Sequence, residues 1–258
     1  MNLFRRNEHR GLPASTLRLW GMLFVAAGAI SQGVLQNRLM GLGGASAQDV
    51  LAMMQQSKAY MTMASVALIL QAAETCAVPI FALLLAEGFS HTKNWKKFLL
   101  RVGIAALAAE IPFDLLFCGK FLDLGIQNPG IALVLGLVML KLYGFFPEKT
   151  WPHRFIRLFV AIAAILWAEM LHVHHGTPLV VLAAVFFLMR NKHQFRGLVG
   201  AGVSLCFTVI SPFYLACPLG AMAVHGYNGK PGTENRLVNY ALYPVLLLVI
   251  WAVTTYFL

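Results

Sequence analysis

Residues 61–88 read MTMASVALILQAAETCAVPIFALLLAEG, an apolar run whose only charged members are Glu74 and Glu87. About 20 apolar residues in a helix cross the hydrocarbon core of a bilayer, so this run is long enough to span it and also to tilt or bend. Pro79 lies near its middle. The proline lacks an amide donor and disfavours α geometry in the residue before it, which predicts a kink or break there.

The same pattern continues on both sides. Apolar runs cover Thr16–Gln36, Met61–Gly88, Trp95–Phe117, Gln127–Phe146, Arg157–His172, Pro178–Met189, Gly197–Cys217 and Val238–Leu258. The sixth is short for a full crossing. The expected fold is therefore all-α: a polytopic transmembrane helical bundle of about eight spans, forming one integral membrane domain over residues 1–258. Ala45–Met54 is more polar and reads as an amphipathic helix lying on the surface.

Composition agrees. Of the 258 residues, 59% are hydrophobic and 12% charged, where a soluble domain carries about a quarter charged residues. This excludes a soluble enzyme domain, a nucleic-acid binder and a disordered tail. The net charge of +10 is read as cationic loops facing an anionic cytoplasmic leaflet. With eight spans, 15 of the 20 Lys and Arg residues fall on one side and 5 on the other. That bias predicts both termini, Ser90–Asn94, Pro147–His153 and Asn191–His193 in the cytoplasm. The loops around Gln55, Lys120 and Lys230 are predicted to face outward. Arg5, Arg6 and Arg10 before Ala27-Gly28-Ala29 imitate a signal peptide, but the many later spans favour an uncleaved first helix. Cys76 and Cys206 read as small hydrophobes within spans, and a Cys118–Cys217 bridge is disfavoured.

Carboxylates inside apolar runs are costly and mark candidate sites. Five qualify: Glu74, Glu87, Glu110, Asp114 and Glu169. Glu110 and Asp114 share a helix face around Pro112, where a kink would make a polar pocket. Glu87 and His91 are also four apart, with Asn94 beyond. A carboxylate can orient an imidazole for general-base work; spacing alone favours a cluster anchoring a helix end. His172, His174 and His175 follow Glu169 by one turn. With no second ligand pair in the sequence and Gly176 and Pro178 close by, they read as an interfacial turn, and no metal is expected. Gly226-Tyr227-Asn228-Gly229-Lys230-Pro231-Gly232 is a turn-rich loop that offers one cation and lacks the phosphate-loop pattern.

Several segments taken in order carry a resemblance. They are Pro79-Ile80-Phe81-Ala82, Ala86-Glu87-Gly88-Phe89, His91-Thr92-Lys93-Asn94 with Lys97 and Arg101, and Glu110-Ile111-Pro112-Phe113-Asp114. Gln127-Asn128, Tyr227 through Gly232 and Tyr243-Pro244 complete the series. It resembles the TraX family, polytopic membrane proteins named for the conjugal-transfer protein that acetylates the pilin N-terminus. The resemblance implies a multi-pass protein of the bacterial inner membrane. It also implies acetyl transfer from cytoplasmic acetyl-CoA to a pilin-like or other envelope acceptor, and the residues themselves call for no metal and no nucleic acid.

On that reading His91, Glu87, Glu110 and Asp114 are the catalytic candidates. Lys93, Asn94, Lys97, Arg101, Gln127, Asn128, Tyr227, Asn228, Lys230 and Tyr243 are the substrate-binding ones. Two positions depart from the family. Members usually carry an Asp-His pair in the first span, where this chain has Ala29-Ile30-Ser31-Gln32-Gly33. The turn after the fifth span is usually Asp-Tyr-Gly, where this chain has His174-His175-Gly176. The alternative reading is a non-catalytic TraX-like scaffold or a small-molecule transporter.

Overall fold

The computed structural model describes residues 11–42, 57–147, 150–232 and 236–257, together with Ala52. The expected surface helix Ala45–Met54 and the basic residues Arg5, Arg6, Arg10 and Lys149 fall largely or wholly outside these. The chain is all-helical, with no named strand among the described residues. Its α-helices are α1 (Ala14–Ala29), α2 (Lys58–Glu74), α3 (Ala77–His91), α4 (Trp95–Phe117), α5 (Pro129–Tyr143), α6 (Trp151–Met170), α7 (Gly176–Leu188), α8 (His193–Cys206), α9 (Cys217–His225) and α10 (Arg236–Phe257). A π-helical segment, Ile30–Leu39, extends α1.

Among the described residues, three stretches are long and apolar enough to cross a membrane: Ala14–Leu39, Lys58–His91 and Val238–Phe257. Large apolar side chains lie open on the outside of the bundle, among them Leu100, Ile104 and Leu107 of α4 and Phe159, Leu166 and Trp167 of α6. A soluble monomer does not leave such a continuous apolar surface bare, whereas lipid covers it. The buried interior is built from α3, α5 and α7, with Ile80, Leu83, Leu137, Leu140, Val180, Leu182 and Phe186 almost without exposure.

The second apolar run is broken, one turn before Pro79. Thr75 and Cys76 separate α2 from α3. Position 75 is the residue whose carbonyl a proline at 79 can neither bond nor tolerate in regular α geometry. At Pro112 the expected kink does not interrupt the element, and α4 runs through it from Trp95 to Phe117. Helix starts follow local chemistry. The Asn94 side chain accepts from Lys97 N at 3.1 Å, and Asn128 Oδ1 accepts from Gly130 N at 2.8 Å, just before Pro129. Both satisfy amides that a helix N-terminus leaves without partners.

The topology corrects the charge-based expectation at one loop. Leu12 N donates to Gly226 O at 2.9 Å, Asn228 N to Leu12 O at 3.1 Å, and Ala14 N to Lys230 O at 2.9 Å. The Gly226–Lys230 turn therefore lies on the face where α1 begins, not on the opposite one. The seventh apolar run is the cause. It does not cross once: α8 ends at Cys206, residues 207–216 turn in tight 3₁₀ geometry around Pro212, and α9 returns. Nine residues make only about 13 Å of helix, too short to register as a span in sequence.

This return also separates the chain ends. Leu247, Ile250 and Trp251 of α10 pack with Ala29, Leu116 and Phe117, at the far ends of α1 and α4. The described chain thus starts at one face and finishes toward the other, against the expectation of both termini on one side. The change sharpens the charge asymmetry, because Lys230 and the start of α10 at Arg236 join the basic face. All four cysteines are free.

Candidate functional site

The break between α2 and α3 places Glu74 inside the bundle, with its side chain 8% exposed. It lies against Gly28 of α1, whose missing side chain makes room for the carboxylate. From the other side comes the turn between α6 and α7. His174 Nε2 lies 3.3 Å from Glu74 Oε1, and His175 Nε2 lies 3.6 Å from the same oxygen. The imidazoles overlap, with ring centroids 4.0 Å apart. His175 Nδ1 is 2.6 Å from Tyr214 Oη, contributed by the 3₁₀ turn of the α8–α9 hairpin. Phe113 and Phe117 of α4 form an aromatic wall, each ring 6.1 Å from that of His174.

The backbone holds this turn firmly. His172 and His175 adopt left-handed φ values of 50° and 55°, a conformation that side chains other than glycine adopt at a cost. Gln127 clamps the turn from outside: its N–H donates to His172 O at 3.1 Å, and its carbonyl accepts from His174 N at 2.8 Å. Asn128, the next residue, bonds Ala106 O through Nδ2 at 2.9 Å and donates to the Glu110 carboxylate. Gln127 and Asn128 thus tie the histidine turn to the middle of α4.

A cavity of about 660 Å³ connects this cluster to the basic face. Arg18, His91, Lys93, Asn94 and Arg101 line its mouth, while Glu74, His174, His175 and Tyr243 line its deep end. The helices that frame it are short. The 15 residues of α5 and the 13 of α7 measure about 20 Å at 1.5 Å per residue. The cluster therefore sits roughly that far above the basic mouth, next to the turn that faces the opposite side.

The other carboxylates have different surroundings. Glu87 is ion-paired with the buried Arg196 of α8. His91 Nδ1 lies 2.9 Å from the Glu87 backbone oxygen and 3.5 Å from its carboxylate, with 73% of the His91 side chain exposed. His91 stands at the cavity mouth, Glu87 is turned to Arg196, and neither meets the Glu74 cluster. Asp114 accepts from Asp123 N at 2.8 Å, bracing the loop after α4. There the Lys120 ammonium, 2.7 Å away, holds the Asp123 carboxyl below its usual range. Each of Glu110 and Asp114 keeps one buried oxygen without a hydrogen-bond partner among the described residues.

Lys97 serves the Asn94 cap through its backbone N–H, and Arg101 Nε donates to Lys97 O at 3.2 Å. Tyr227 is buried beneath the Arg196 guanidinium at 5.5 Å, and burial pushes its phenol up to about 12. Asn228 Nδ2 donates to Gly11 O at 3.0 Å, and Asn228 Oδ1 accepts from Lys230 N at 2.9 Å. These two residues join the last loop to the first helix, and the Lys230 side chain is exposed.

Compared with known families, the sequence matches the one described as TraX protein over residues 62–254. The chain belongs to the TraX family. No curated relative and no solved structure matches it. Apolar helices and family membership together make this TraX-family chain a membrane protein. In the folded chain Gly28 of α1 abuts Glu74, and Glu74 faces the His174-His175 turn. Sequence reading singled out Glu74 and the histidines separately and did not join them. A separation of 100 residues leaves no local signal for such a contact.

Proposed function

We propose that this TraX-family protein is a membrane acyltransferase of the bacterial inner membrane. It takes an acetyl or similar acyl group from a coenzyme A thioester at the cytoplasmic face and passes it to an acceptor reaching the buried cluster. The observation that carries the reading is the cavity with a cationic mouth and a carboxylate–imidazole end. Arg18, Lys93 and Arg101 suit the phosphates of the donor, since guanidinium and ammonium groups make charge-assisted bonds to phosphate oxygens. The distance of about 20 Å from mouth to cluster suits a long, thin pantetheine arm entering head first.

The transfer balances simply. An acceptor amine or hydroxyl attacks the thioester carbonyl, the carbon–sulfur bond breaks, and the acceptor's proton leaves with the coenzyme A thiol. Such a reaction needs a group that activates the acceptor and a donor to the developing oxyanion. Glu74, His174 and His175 are the groups at hand for the first, and the Tyr243 hydroxyl, lining the same end, for the second. The imidazole then comes from the turn before α7, in a chain that has no histidine in the first-span segment Ala29–Gly33. Glu87 and His91 take the donor side in this scheme, and the acceptor approaches from the face of the histidine turn. A pilin-like N-terminus is one acceptor of the required chemistry.

The test is incubation of the purified protein with acetyl-CoA labelled in the acetyl group. Saturable binding, and label passing to an added amine or peptide acceptor, is the expected result. A protein that binds no acetyl-CoA would instead be a TraX-like scaffold or transporter.

A further inference from the structure

We propose that Glu74, His174 and His175 hold a divalent transition-metal ion, with zinc the best match to the ligand set. The inference rests on the acyl-transfer reading only for what the ion does, not for its presence. One carboxylate oxygen and two imidazole nitrogens converge here, all within 4.8 Å of one another. Bonds of about 2.0–2.1 Å in a tetrahedral zinc site put neighbouring ligand atoms about 3.3 Å apart. The two nitrogens lie 3.3 and 3.6 Å from Glu74 Oε1. That spacing leaves room for an ion between them.

A second observation points the same way. His175 Nε2 is buried and has no hydrogen-bond partner among the described residues, although it faces the carboxylate. A buried polar atom without a partner costs free energy, and coordination removes that cost. The other ring nitrogen, Nδ1, is fixed against the Tyr214 hydroxyl at 2.6 Å. This is the outer support that metal-bound histidines generally have, which fixes the tautomer and leaves Nε2 for the ion. The left-handed backbone at His175 then has a purpose, since it turns the ring back toward Glu74.

Two histidines and one carboxylate form a three-ligand set of the kind catalytic zinc sites use, with a fourth position open to substrate. Here that position faces the cavity. An ion there would polarise the thioester carbonyl or lower the pKa of a bound acceptor hydroxyl. Nothing in the sequence announces the set, because Glu74 comes from a different helix, far away in the chain.

The experiment is metal analysis of the full-length protein, purified in detergent without a polyhistidine tag. We expect close to one zinc per chain, removed by chelator and restored by added zinc. Cobalt reconstitution should give the visible absorption of a tetrahedral site. Glu74→Gln and His175→Gln should each lower zinc affinity at least tenfold, while His91→Gln leaves it unchanged. If the variants fail to fold, the cobalt spectrum of the wild-type chain alone decides the question. A folded wild-type protein that takes up neither zinc nor cobalt stoichiometrically overturns the proposal, as does uptake unaffected by both Gln variants. Failure of the transferase reading looks different: zinc is bound, but acetyl-CoA is not. Conversely, full transfer by zinc-free protein keeps the transferase and removes the ion from its chemistry, while zinc and cobalt uptake still decide whether the site holds the metal.

Discussion

Gly28 and Glu74 are packed so closely that a β-carbon on residue 28 would overlap the Glu74 carboxyl carbon. The smallest residue of α1 thus sets the position of the deepest carboxylate of the cavity. Gly28→Ala should push Glu74 away from His174 and His175. Overpacking of this kind typically costs about 1–3 kcal/mol, and loss of the acetyl transfer proposed above should accompany it. Gly103→Ala is the control. Gly103 lies within α4 with nothing near its β-carbon position, so stability there should hold or rise slightly. Thermal unfolding of both variants in detergent checks the pair, and a Gly28→Ala protein as stable and active as the parent would contradict the packing.

The return of α9 makes a topology prediction that differs from the simple count of apolar runs. Single cysteines replacing Lys93 and Lys230 in a cysteine-free background should label alike with an impermeant thiol reagent in intact cells. Cysteines replacing Lys120 and Tyr256 should behave alike and opposite to the first pair. By the positive-inside rule the Arg18 and Lys93 face is expected on the cytoplasmic side, and on that orientation only Lys120 and Tyr256 should label. If position 230 labels together with position 120, the α8–α9 hairpin is wrong.

Arg196 and Glu87 form an ion pair at the basic face, with side chains 3% and 13% exposed. Removing one partner leaves a charge buried alone, and such losses run to about 3–5 kcal/mol. Arg196→Met should therefore lower the melting temperature sharply. The double variant with Glu87→Gln should recover much of the loss, because the orphaned carboxylate is gone. Equal melting temperatures for the single and double variants would show that removing Arg196 does not leave a costly unpaired carboxylate at Glu87. The Arg196 guanidinium also covers the Tyr227 ring, so proteolysis in the loop after Tyr227 should rise in the single variant.

These features differ in how far the sequence announced them. Helical class and membrane character follow from runs such as Met61–Gly88, because hydropathy over 20 residues is a local property. The break near Pro79 was also local, although its position, Thr75–Cys76, depends on which carbonyl the ring displaces. The hairpin was not legible, since α9 is shorter than any hydropathy window and its turn resembles the middle of a span. At the site, the spacing of Glu87 and His91 is legible as a pair at a helix end, and the fold puts His91 at the cavity mouth. The Glu74 cluster depends on a contact between residues 100 apart. Only the buried charge of Glu74 and the unusual pair His174-His175 hinted at it, each without its partner.

The proposed division of the cavity into a donor mouth and a reacting end can be separated by two substitutions. His174 faces Glu74 at the deep end, whereas Arg101 lines the mouth and donates through Nε to the backbone of its own helix. If the reaction occurs at the cluster, His174→Ala should reduce acetyl transfer by about 10²–10⁴, the usual loss where the imidazole acts as the acid–base group, and a loss through the weakened site where it holds the ion. Its affinity for acetyl-CoA should stay within a few-fold of the parent, because the phosphates bind elsewhere. Arg101→Ala should do the reverse: weaker acetyl-CoA binding, by up to tenfold or so for one charge-assisted contact, with turnover at saturation nearly intact. Binding is read by titration with acetyl-CoA and turnover by release of the coenzyme A thiol. Raising the ionic strength should weaken donor binding in the parent more than in Arg101→Ala, since exposed charge attraction is screened by salt. A His174→Ala protein that turns over normally would move the chemistry back to the mouth, where His91 is the next imidazole.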